Sequence, residues 1–239
     1  LHIGIEGGGA YAQIGPMIKV PDTGEVDYGV SGKAGCGFGP GYTELSFVSY
    51  DDDTSINLKV GGDAPVKVEG ATVKNSVVRP AAAAGETAEI TFETKKLQSV
   101  TIVNEGEGAV AVDVAEGTFK KSTIDLSTGT AKDSIAFGGD TKIVKNDILL
   151  GAGKDTVTFS EGVKLKGDTK IQVGDGRDAI KVPSEVKGGG QLLISNFSKK
   201  DRLVVDGKKV SGNKLYKGKL DAPDFIAIRF EDGTVFDYT

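Results

Sequence analysis

The sequence predicts an all-β chain: a small β-sandwich-like module followed by a parallel β-roll or narrow β-helix whose coils are 22–23 residues long. Three observations carry this. Beyond residue 51, apolar and polar residues alternate with the period of half-buried strands. Glycine supplies 35 of the 239 residues and cuts these runs into short pieces. The second half resembles itself at a nearly constant interval, as stacked repeats do.

Taken in order, residues 1–50 are glycine-rich and weakly periodic. EGGGAY, PDTGEVDYG and GCGFGPGY read as consecutive turns, and Tyr42–Tyr50 (YTELSFVSY) reads as the best strand. This segment is expected to be an irregular arm with short strands, lying on a neighbouring subunit. Its loop Gly35–Gly41 resembles the glycine loops that cradle phosphate. It lacks the Lys-Ser/Thr that should follow, and no helical pattern succeeds it.

Residues 51–117 form the predicted sandwich-like module. Ile56, Leu58 and Val60 alternate with polar residues, as do Val66 and Val68, then Ile90 and Phe92. SVTIVNEGEGAVAVDV, with Val100 and Ile102 before the turn and Val110, Val112 and Val114 after it, predicts a hairpin. In PAAAAGETAEITF, Pro80 and Gly85 bracket the alanines too tightly for a stable helix. The GETAEITF … SVTIVNEGEGAVAV stretch loosely resembles small β modules of bacteriophage and secreted structural proteins.

Residues 118–239 are the predicted solenoid with a C-terminal cap. Aligned on Asp133, Asp155, Asp178, Asp201 and Asp224, the copies are 22, 23, 23 and 23 residues apart. Two residues on stand Ile135, Val157, Ile180, Leu203 and Ile226; four on, Phe137, Phe159, Val182, Val205 and Ile228. Seven before the aspartate come Leu126, Ile148, Ile171 and Ile194. One short strand buries only alternate side chains. Stacked copies turn these columns into a continuous interior, with strands about 4.8 Å apart. The closing RFEDGTVFDYT suits a terminal cap.

Composition narrows the function classes. Net charge is −5 with acids and lysines interspersed, so nucleic-acid binding is not expected. No apolar run approaches the roughly 20 residues of a membrane span, so no membrane insertion is expected. Cys36 is the sole cysteine, which excludes an internal disulfide and a cysteine-based zinc site. The sole histidine, His2, sits at the chain end, away from where a Ser-His-Asp or Cys-His centre needs one. The chain starts at Leu1, so an initiator or leader is expected to have preceded it.

LGAGKDTVTF (150–159) and VGDGRDAIKV (173–182) carry a more specific likeness. They resemble the glycine-aspartate repeats of RTX (hemolysin-type calcium-binding) β-rolls, and QLLISNFSKKDRLVVDG resembles the segment that closes such rolls. The resemblance implies calcium held between successive turns by carbonyls and carboxylates. By position it proposes Gly151, Gly153 and Asp155 in one turn and Gly174, Gly176 and Asp178 in the next. The coil is longer than the family's eighteen residues. TGTAKD keeps Gly129 but has Ala131, and NFSKKD keeps neither glycine.

Elementary chemistry allows two readings of the turn. Calcium takes six to eight oxygens, and a cation relieves the repulsion of stacked carboxylates. Glycine and aspartate are also ordinary corner residues, since aspartate bonds turn amides without metal. Lys154 and Arg177 offer countercharge beside them. The sequence leaves the occupancy open.

The expected function is that of a non-enzymatic extracellular structural or assembly protein. A virion surface, tail or fibre component (phage-like) comes first, with copies of itself or other shell proteins as partners. A cell-surface glycan is a further expected partner. The alternative is a secreted or surface-layer RTX-like calcium-binding module. A lesser alternative is a polysaccharide-acting β-helix enzyme, with Asp125 and Asp147 stacked as a carboxylate pair at the roughly 5–5.5 Å of retaining glycosidases.

Overall fold

The computed structural model describes residues 2–5, 11–12, 30–36, 43–50, 53–61, 65–183, 186–205, 208–209, 227–230 and 235–236. These residues contain strands, bends and turns and no helix.

The core is a right-through stack of coils with three strand-bearing faces. On the first face, Val66, Ile90, Val112, Ile135, Val157, Ile180 and Leu203 pair one above another in parallel register. Val68, Phe92, Val114, Phe137 and Phe159 follow two residues on. The second face stacks Val73, Leu97, Phe119, Ile143 and Leu165. The third stacks Leu58, Val78, Ile102, Ile124, Ile148, Ile171 and Ile194. These side chains are almost wholly buried and form one apolar cluster. Each large one removes enough apolar surface to contribute about 1.5–3 kcal/mol. Phe137 and Phe159 stack at 5.2 Å, and Phe119 meets Phe137 at 5.8 Å.

The coil therefore runs through the segment assigned to the sandwich-like module. From Val66 onward the pairing is the same parallel pairing seen after residue 118. The predicted hairpin is absent. Thr101–Val103 pairs with Thr123–Asp125 and with the strand at Val77–Val78, whereas Ala109–Lys120 pairs with Thr87–Gln98 and Ser134–Val144, all in parallel. NEGEG is a corner, seated on the preceding corner: Glu105 N donates to Pro80 O at 2.7 Å and Glu107 N to Ala82 O at 3.0 Å. A Cβ on Gly106 would lie 2.6 Å from Ala82 N, so glycine is set there by close approach of two backbones.

Toward the N-terminus, Val30–Cys36, Thr43–Tyr50 and Asp53–Val60 make an antiparallel meander, and His2–Ile5 pairs antiparallel with the strand starting at Val66. Toward the C-terminus, Ala227–Phe230 closes the third face and Val235–Phe236 folds back on it, as a cap would. The fifth aligned copy is out of place. Ile228 lies on Leu192, not on Val205, and Asp224 and Ile226 fall outside the described residues.

Candidate functional site

The corner between the third and first faces holds the predicted aspartates. Asp133, Asp155, Asp178 and Asp201 are exposed by 1, 0, 0 and 6%. Each reaches one coil back: Oδ1 of Asp133 accepts Val110 N, and Oδ1 of Asp155 accepts Asp133 N, both at 2.8 Å. Oδ1 of Asp178 accepts Asp155 N at 2.8 Å, and Oδ1 of Asp201 accepts Asp178 N at 2.9 Å. The anchor column is thus a ladder that satisfies the amide opening each first-face strand, a group that would otherwise be buried without an acceptor.

The second oxygens differ. Oδ2 of Asp201 accepts Ser198 N at 2.7 Å. Oδ2 of Asp133, Asp155 and Asp178 is buried and has no partner among the described residues. Asp201 keeps its place in a turn without glycines because both of its oxygens are bonded, Oδ1 to the Asp178 amide one coil back and Oδ2 to Ser198 N within NFSKKD.

The predicted glycines gather at the same corner. Gly153 and Gly176 form a parallel bridge. A Cβ on Gly151 would lie 2.6 Å from Leu126 O, and one on Gly174 would lie 2.8 Å from Leu150 O and closer still to Gly151 O. A Cβ on Gly153 would crowd Ala131 O, and one on Gly176 would crowd Gly153 O. Close stacking alone demands glycine at all four positions.

Burial dominates the electrostatics. It pushes the Asp133 carboxyl up to about 6, against the Val110 amide, which lowers it. It pushes Asp155 up to about 7, against the Asp133 amide, with the charges of Asp133 and Asp178 adding to the rise. Asp178 is raised for the same reason, with Asp201 and Asp175 adding.

Outside the ladder the surface is basic. A cleft of about 460 Å³ is lined by Lys132, Lys154, Arg177, Lys181 and Arg202, with Thr156 and Ala179 between them.

For calcium, this donor set fits in one respect only. The three orphaned Oδ2 atoms are oxygens without partners. The Oδ1 atoms are committed to amides, and the turn carbonyls of Gly129, Gly153 and Asp175 accept Ala152 N, Arg177 N and Gly153 N. No group of three or more His, Cys, Asp or Glu that could hold a metal occurs among the described residues.

The directly stacked carboxylate pair expected of a retaining glycosidase is not formed. Asp147 pairs with Thr123, and Asp125 pairs with Leu149. Asp125 instead accepts Ser127 N at 3.0 Å in its own turn. The cause is coil length: third-face residues 124 and 148 are one coil apart, so a fixed interval of 22 misplaces them by one side chain pair.

A second polar corner carries no signal in the aspartate-aligned repeat. Between the second and third faces, Oγ of Ser122 accepts Val100 N at 3.1 Å and donates to Lys120 O at 2.9 Å. Asn146 Oδ1 accepts Ser122 N at 2.9 Å, and its Nδ2 donates to Phe119 O at 3.0 Å. Just before it, Asn75, Ser99, Lys121 and Lys145 all have positive φ, between 48° and 55°.

Comparison with family models, with curated proteins and with solved structures found no match. The solenoid rests on its own register.

Proposed function

We propose that the chain is a non-enzymatic extracellular structural or assembly protein, a virion surface, tail or fibre component or a subunit of a cell-surface layer. The observation that supports this best is the uninterrupted parallel stack. It makes a rigid rod whose outward side chains repeat once per coil, and such flanks suit lateral packing. The offset of Asp125 from Asp147 by two residues weighs against the retaining-glycosidase pair, which needs carboxyl groups about 5–5.5 Å apart. Negative-stain electron microscopy of the purified chain tests the proposal: ordered particles, rows or fibres are expected, and dispersed single rods at every concentration would contradict it.

A second reading is an RTX-like calcium-binding module, secreted or in a surface layer, with calcium at the Gly151–Asp155 and Gly174–Asp178 turns. The orphaned Oδ2 atoms of Asp133, Asp155 and Asp178 favour it. The basic rim and the committed Oδ1 atoms favour the metal-free corner. Calorimetric titration with calcium separates the two: saturable heat, lost in Asp155→Asn, supports calcium, and none supports the bare corner.

A further inference from the structure

Two columns of charge run along the outside of the stack. At the corner between the first and second faces, Glu93, Glu116 and Asp140 stand in register, one per coil. On the second face, Lys96, Thr118, Lys142, Lys164 and Lys187 form one outward row. Lys74, Gln98, Lys120, Val144 and Lys166 form the other. Neither row carries a carboxylate. Like charges directly opposite each other across strands destabilise a sheet, and Lys142 and Lys164 are so placed. Both are exposed, as are Glu116 and Asp140. Glu93 pairs with Lys67 at 2.7 Å, on the first face.

We propose that the lysine face receives the acidic corner column of a second copy, so that stacks pack side by side. The inference rests on the assembly reading and names its contact. Both columns take their period from the same strand separation, about 4.8 Å. Two copies with parallel axes therefore stay in step over every coil, and a shift of two coils sets Glu93, Glu116 and Asp140 against Lys142, Lys164 and Lys187. The contact joins two different surfaces. Each copy keeps one of them free, and the association continues as a row. The outward residues of the face are Lys, Thr, Gln and Val, which offer no aromatic platform for bases and no aromatic or leucine-rich face for a bilayer.

Sedimentation velocity of the full chain over a range of concentrations, at low and high salt, tests this. Association is expected at low salt and should weaken at least about tenfold in high salt, as screening shortens the reach of exposed charges. Lys142→Glu/Lys164→Glu and Glu116→Lys/Asp140→Lys should each stay monomeric, and an equal mixture of the two should associate. Lys142→Gln/Lys164→Gln, a milder change, should weaken association without abolishing the β signal in circular dichroism. A wild-type chain monomeric throughout overturns both this contact and the assembly reading. Association indifferent to salt and to both reversals overturns the contact alone. A monomeric chain whose lysine face, by the same variants, captures polygalacturonate, oligothymidylate or phosphatidylserine vesicles likewise overturns both and gives the face to a polyanion.

Discussion

Two corners of the same coil bury polar side chains for the same purpose and reach different ends. Both give an acceptor to the amide that opens the next strand. At the second-to-third corner, Asn146 accepts with its oxygen and donates with its nitrogen, so both atoms are used. At the third-to-first corner, Asp155 accepts with Oδ1 and leaves Oδ2 buried and unpartnered. An amide has a donor to place and a carboxylate has none. The neutral corner is insensitive to pH, whereas the acidic corner binds a proton more tightly folded than unfolded.

The largest effect expected from breaking this comparison is steric. Gly174→Ala puts a Cβ against the Gly151 carbonyl and should cost about 3 kcal/mol in chemical denaturation. Asn146→Ala comes next, at about 2–3 kcal/mol, because Ser122 N and Phe119 O both lose a buried partner. Asp155→Ala frees one amide, Asp133 N, and should cost about 1–2 kcal/mol at pH 5. A smaller cost for Asn146→Ala than for Asp155→Ala would remove the distinction between the corners. The smallest effect is at Lys121, whose φ is 49°. Lys121→Gly relieves left-handed strain but loosens the unfolded chain, for a net gain of about 0.5 kcal/mol.

The sequence made the first-face columns legible because Val157, Ile180 and Leu203 keep a constant distance from an aspartate. The second face was illegible. Its strands are as short as Lys164–Lys166, one buried residue between two lysines, which gives no alternation to detect. On the third face the spacing is off by two residues. Ile124, not Leu126, continues the column of Ile148, Ile171 and Ile194, because the corner before Asp133 is two residues longer than the one before Asp155. NEGEG predicts a hairpin turn because glycines at a corner and in a hairpin look alike locally. Only the partner, Ala82 in the preceding coil, tells them apart. At the candidate site the residues were legible and their chemistry was not. Spacing placed Asp155 above Asp178, but only the register shows that each carboxylate bonds the neighbouring coil's amide.

The most direct test of the acidic corner is the melting temperature against pH, in EDTA and in calcium, for the wild type and Asp155→Asn. Folded carboxyls raised from 3.8 to about 6 and about 7 lend stability that is complete below 3.8 and lost as pH rises through those values. Without metal, the wild type should therefore melt lower at pH 8 than at pH 5. Asp155→Asn, which gives this corner the chemistry of Asn146, should flatten the dependence. A wild-type melting temperature that rises from pH 5 to pH 8 in EDTA would contradict the account.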